Sequence, residues 1–207
     1  TTGGAYLRGK PLPTDRTGLM PPFDLHYFPA SNWISRVEVP IEHSNTVAMV
    51  TRPQDMLKTY SWHRSTESFA TQELIAAPIF AQPGKSCRWD YFMVVTAPVR
   101  NVVYCSPELV VGVTPHPTWL SANDKELQLD FAATRDLTDV HVHTRLVEAG
   151  HDTTLAESDF VLATLSAKAS TSHRLPVALQ DQHCYQLHLT FTRNNQPCLP
   201  GAEADDK

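Results

Sequence analysis

Glycine is scarce in this chain of 207 residues, with eight in all. Loops that cradle nucleotide phosphates depend on glycine, and no such motif occurs. The GxSxG nucleophile elbow and the HExxH zinc motif are absent as well. No apolar run approaches the ~20 residues that a membrane-spanning helix needs. Positive charge is also limited. Against 22 Asp/Glu stand 17 Lys/Arg, a net charge of −5, and basic residues do not interleave with aromatics, which argues against a nucleic-acid partner. The four cysteines, Cys87, Cys105, Cys184 and Cys198, form no CxxC pair and are too sparse for a disulfide scaffold. A Cys184–Cys198 bridge suits an oxidising compartment, and free thiols suit the pattern at least as well. The compartment stays open, with a secreted or periplasmic setting in view. No cofactor is implied.

Helical signals are equally few. Sixteen prolines are spread along the chain, and few windows repeat apolar residues at i, i+3, i+4 and i+7. Alternation dominates instead. In Trp33 to Ile41 the residues Val37, Val39 and Ile41 share a face opposite Arg36 and Glu38. Asn45 to Val50 reads as a short apolar strand ended by Arg52-Pro53. Cys87 to Val95 places Cys87, Trp89, Tyr91, Met93 and Val95 on one face, an expected core stripe. The opposite face turns apolar from Phe92, so coverage on both sides is expected there.

Past Pro98 the strands shorten and turn signals recur about every ten residues. Glu108–Thr114, Glu126–Phe131, Val140–Leu146, Phe160–Leu165, Arg174–Leu179 and Cys184–Thr192 read as strands. Leu127, Leu129 and Phe131, then Val140, Val142 and Leu146, then Tyr185, Leu187, Leu189 and Phe191, point inward. This is the pattern of an immunoglobulin-like or fibronectin-like sandwich. Asp181 to Tyr185, just before the last strong strand, resembles the tyrosine corner, in which a Tyr hydroxyl bonds backbone upstream. The expected organisation is an extended arm over 1–22, a β region over 23–98, a boundary near 97–107, an immunoglobulin-like sandwich over 107–200 and an acidic tail over 201–207. Charge divides along these lines. Residues 1–100 carry ten Lys/Arg against eight Asp/Glu, and the remainder seven against fourteen.

Three features of residues 71–95 occur in a familiar order: Glu73 in an apolar run, the turn Pro83-Gly84-Lys85-Ser86, and the alternating Trp89, Tyr91 and Met93. In this order they resemble the closing strands of the galactose-mutarotase-like β-supersandwich, a carbohydrate-domain family. The resemblance covers residues 24–97. It implies an all-β fold, a supersandwich-like portion followed by the immunoglobulin-like sandwich, and a carbohydrate partner. A whole supersandwich is several times longer than this stretch. The resemblance therefore favours the C-terminal piece of a larger protein, completed by a missing N-terminal region or a partner chain, over a smaller complete sandwich. The absence of an initiator Met and of a signal-peptide apolar region at Thr1 agrees with a processed or excised segment.

By the resemblance, Glu73 is the base that takes the anomeric hydroxyl proton, with a histidine acid opposite. His63 is the nearest histidine, although the family's acid comes from a much earlier strand. The plainer alternative makes Glu73 a strand-end surface charge and His63 a polar-face residue. Trp33, Tyr60, Trp62 and Arg64 form a candidate sugar-contacting set, since flat rings stack on sugar C–H faces while Arg and carboxylates bind hydroxyls. Core tryptophans are the alternative for these rings. His141 and His143, spaced i, i+2, have metal-ligand spacing with His188 as a loose third, and Asp24-Leu-His26 shares that spacing. With ten histidines in the chain chance pairs are common, and no metal site is assigned. The leading expectation is a carbohydrate-processing or carbohydrate-binding protein. As an enzyme it would be of epimerase, glycosidase or lyase type. The alternatives are a non-catalytic structural or adhesive sandwich that binds a protein partner, and one half of an assembly whose active site lies elsewhere.

Overall fold

The computed structural model of the chain describes residues 23–27, 33–37, 45–52, 55–63, 70–115, 120–150, 153–180, 183–193 and 196–197. The expected arm over 1–22, the acidic tail, and Arg64 lie outside the described residues. Fourteen strands are described and every pairing among them is antiparallel. The chain is an all-β protein of sandwich type, as its alternation implies. No helix among the described residues is long and apolar enough to cross a membrane.

The strands are β1 Phe23–Tyr27, β2 Trp33–Val37, β3 Thr46–Thr51, β4 Met56–His63, β5 Ala70–Ala76, β6 Tyr91–Thr96 and β7 Val102–Cys105. They continue with β8 Leu109–Thr114, β9 Glu126–Ala133, β10 Leu137–Glu148, β11 Thr154–Leu165, β12 Thr171–Pro176, β13 Tyr185–Arg193 and β14 Gln196–Pro197. Four sheets result, ordered β1-β4-β5, β2-β3-β6, β12-β9-β8-β7 and β11-β10-β13-β14.

The sheet β12-β9-β8-β7 is covered on both faces. In β8 and β9 the odd-numbered residues Leu109, Val111, Val113, Leu127, Leu129 and Phe131 form one core with Val140, Val142, Leu146 and Phe191 of the facing sheet. Phe131 meets Phe191 edge-on at 6.4 Å between ring centroids, a favoured aromatic geometry. The even-numbered Val110 and Ala132 belong to a second core with Trp33, Ala48, Val50 and Val94, joined by Ala97, Val99, Val102 and Cys105. Within the segment read from sequence as a boundary, Ala97, Val99, Val102 and Cys105 are buried in this core while Arg100 is exposed. Alternation explains the arrangement: successive side chains leave opposite faces of a strand, so a continuously apolar strand such as β8 serves two cores.

Hydrogen bonds fix this junction. The fully buried Thr46 hydroxyl accepts the Val99 N–H at 2.8 Å and donates to the Val99 carbonyl at 3.3 Å. Asn101 turns the chain in the left-handed region, φ 49°, and its amide donates to the Val113 carbonyl at 2.9 Å. At the far end of the C-terminal sandwich, the Tyr185 hydroxyl accepts the Gln180 N–H at 2.6 Å and donates to the Gln180 carbonyl at 3.0 Å. That is the upstream backbone contact anticipated for this tyrosine. The inward sets Leu127/Leu129/Phe131 and Val140/Val142/Leu146 are all buried.

One phase is reversed. The stripe Cys87, Trp89, Tyr91, Met93, Val95 was expected in the core, but the strand starts only at Tyr91 and buries Val94 and Thr96. Tyr91, Met93 and Val95 are 49%, 64% and 49% exposed, and Phe92 on the other face is 56% exposed, so the expected two-sided coverage is not found. Apolar residues occupy both faces of β6, so local pattern does not choose between them. The choice is made by the second core, which draws in Val94 beside Ala48 and Val50. The Cys184–Cys198 bridge is also not formed, since Cys184 is a free thiol.

Gly112 reports directly on the junction. A Cβ at this position would lie 2.0 Å from the Arg100 carbonyl oxygen and 2.4 Å from Val99 Cγ1. Because the nearest obstacle is backbone, relief requires moving the connecting segment. Gly112→Ala is expected to destabilise the protein by more than ~2 kcal/mol in urea unfolding, against well under ~1 kcal/mol for Gly84→Ala's steric contribution alone. Gly84 lies in open space, though its φ of +75° adds backbone strain, so Gly84→Asn is the better control.

Candidate functional site

The sheet β1-β4-β5 carries most of the residues singled out for chemistry. Its strands are rich in alternating Thr, Tyr, Trp and Ile, which suit a pleated, half-covered surface. β4 is central. Tyr60 pairs with Glu73 on β5 and with His26 on β1, giving a cross-strand row His26–Tyr60–Glu73. Two residues along, Trp62 pairs with Thr71 and Asp24, giving the row Asp24–Trp62–Thr71. Directly paired residues, and residues two apart on one strand, share a face. Tyr60, Trp62 and Glu73 therefore share a face, together with His26 and Asp24. Glu73 is exposed and Tyr60 half-buried.

His63 does not join them. It pairs with Ala70 and Phe23, three residues from Tyr60 and thus on the opposite face. The acid–base couple Glu73/His63 is not assembled on this sheet. The histidine that shares Glu73's row is His26, two strands away, about 10 Å between backbones at the usual strand spacing. Sequence reading met Asp24-Leu-His26 only as a metal-like spacing. Its relation to Glu73 depends on strand order, which the spacing of residues along the chain does not carry. Trp33 stands apart too. It is 3% exposed in β2, inside the core with Ala48, Val50 and Val94, so it lines no open groove. The core alternative raised for the tryptophans applies to this one.

His141 and His143 lie on the outward face of β10. His143 is held between two carboxylates, with Nδ1 2.9 Å from Asp159 Oδ1 and Nε2 3.4 Å from Glu157 Oε1. His188 pairs with Arg145, the next outward residue of β10, and its pKa is lowered by burial and by the Arg145 charge. Among the described residues no three His, Cys, Asp or Glu are arranged to hold a metal. Cys105, the buried thiol of the junction, has its pKa pushed up to about 12 by burial, which keeps it protonated and unreactive.

Another histidine joins the two sheets of the C-terminal sandwich. His173 on β12 stacks on Phe160 of β11, ring centroids 3.5 Å apart, and its Nε2 lies 3.3 Å from Ser158 Oγ.

No family model, no curated protein and no solved structure matches this chain.

Desolvation lowers the His173 pKa from its ordinary 6.5, so the unfolded chain takes up this proton at higher pH than the folded one. The stabilisation from neutral His173 is thus complete above ~6.5 and lost as pH falls through the folded value. Urea midpoints measured from about pH 7.5 to 5 should fall less steeply for His173→Gln than for the parent chain. Equal slopes would show that this ring does not couple folding to protonation.

Proposed function

We propose that the protein binds carbohydrate through the face of β4 and β5 that carries Tyr60, Trp62 and Glu73. The observation that supports this most is the cross-strand register, which aligns two aromatic residues and a carboxylate on one face although 13 residues separate Tyr60 from Glu73. Aromatic rings offer apolar faces to sugar C–H groups, and an ionised carboxylate accepts hydroxyl hydrogen bonds, which are among the stronger neutral–charged contacts. His26 and Asp24 stand in the same cross-strand rows. The reading is one of binding. Catalysis by Glu73 requires an acid across the bound sugar, and His63 lies on the other face. The supersandwich-like identity of the N-terminal portion and the immunoglobulin-like identity of the C-terminal one belong to the same proposal. The second is supported by the two four-stranded sheets and by the Tyr185 hydroxyl contact.

A second reading, a module that docks a protein partner, is favoured by a separate observation. Tyr91, Met93 and Val95 of β6 and Val47 of β3 share one face and leave it apolar and open. Exposed apolar patches of this kind mark interaction surfaces more often than they mark sugar sites.

A glycan array probed with the intact chain separates the two. The carbohydrate reading expects saturable binding to at least one glycan class, weakened about tenfold or more by Glu73→Gln and by Tyr60→Ala with the fold intact by circular dichroism. No glycan bound, or variants that bind as well as the parent, would leave the interaction-module reading in its place.

A further inference from the structure

The outer face of the C-terminal sandwich holds a groove that the β4–β5 face does not touch. It is a shallow, open depression of about 310 Å³ lined by residues of β10, β11 and β13. Two cross-strand rows build it, Val161–His141–Thr192 and Asp159–His143–Thr190. We propose that this groove is a second ligand site, for a neutral polyhydroxylated molecule of monosaccharide size.

The volume sits at the lower end of the ~300–1,000 Å³ typical of small-molecule sites, which suits a single ring rather than a chain. One wall is held in place. His143 is held through Nδ1 by Asp159 at 2.9 Å, so its ring has a set orientation before any ligand arrives. The remaining polar groups are free to engage. His141, Thr190 and Thr192 make no side-chain hydrogen bond to another described residue. Asp159 is 79% exposed, and His143 engages one of its oxygens, leaving acceptor capacity on the other. Val161, half exposed beside His141, supplies the apolar element of the floor.

The chemistry of this set narrows the ligand. An anion would face the Asp159 carboxylate, and no Lys or Arg is among the lining residues. A purely apolar ligand would strand the donors and acceptors of His141, Thr190 and Thr192, each of which is costly to bury unpaired. A primary ammonium brings donors only, so the donor hydrogens of Thr190, Thr192 and the imidazole would find no acceptor in it. A ring of hydroxyls uses every group. One hydroxyl donates to Asp159, others exchange bonds with the amphoteric threonines and the imidazole, and the C–H face rests on Val161. The ligand class follows from the groove's own residues and does not depend on the β4–β5 reading.

The test follows the imidazole C–H resonances of the intact chain by NMR during titration with glucose, galactose, mannose and N-acetylglucosamine. A ligand as small as a monosaccharide is expected to bind with a Kd of about a millimolar. Saturable shifts of His141 and His143 are expected, together with about tenfold weaker binding for Thr190→Val and for Asp159→Asn. Tyr60→Ala should leave these shifts unchanged, which separates this site from the β4–β5 face. Thr190 and Asp159 are exposed, so the variants should fold, and thermal unfolding checks that they do. No saturable shift with any of the four sugars overturns the proposal. So does a response confined to methylammonium or to zinc, which would assign the groove another ligand class, and so does binding that Tyr60→Ala abolishes.

Discussion

The contact on which the architecture depends is small. The Thr46 hydroxyl, fully buried at the start of β3, both accepts from and donates to the backbone of Val99, 53 residues later. Around it Trp33, Ala48, Val50 and Val94 close onto Val102, Cys105, Val110 and Ala132. A buried hydroxyl that lost its partners would cost on the order of 1–3 kcal/mol, so the pair specifies where the connecting segment lies as well as helping to hold it. The consequence is a stack in which β12-β9-β8-β7 is the middle layer at β8 and β9. The N-terminal strands β2, β3 and β6 are the outer cover of a core that belongs to both halves of the chain.

This explains which parts of the fold were legible in the sequence. Alternation in Glu126–Phe131, Val140–Leu146 and Cys184–Thr192 reads correctly because each strand has one apolar and one polar face, so pattern and burial agree. Tyr185 was likewise legible, since its partner Gln180 lies only five residues away. β6 was not. Tyr91, Met93 and Val95 form as good an apolar stripe as Phe92 and Val94, and the decision rests with residues far away in the chain. Prolines and a change of rhythm near 97–107 mark a connection, but they do not reveal that Ala97, Val99, Val102 and Cys105 within it are buried.

The candidate site was legible in its residue types and illegible in its geometry. Tyr60, Trp62 and Glu73 were singled out by chemistry, and the register places them on one face. His63 and Trp33 were singled out by the same chemistry and lie elsewhere, one on the opposite face of its sheet and one in the core. Proximity in sequence favoured His63 over His26, whereas strand order favours His26. The N-terminal portion thus presents an aromatic and carboxylate face on one sheet and an uncovered apolar face on another. The C-terminal sandwich, acidic and closed on its inner side, offers a polar groove. The shared core joins the sheet β2-β3-β6 to the sheet β12-β9-β8-β7.

That shared core is best tested by native-state hydrogen exchange across the junction. Amides of β3, at Ala48 and Val50, should open with the same free energy and the same denaturant dependence as amides of β9 and β10, at Phe131 and Val142, because all rest on one cooperative interior. If the β3 amides exchange through a much lower-energy opening while β9 and β10 stay protected, the two halves are separate units, and the junction is a contact rather than a core.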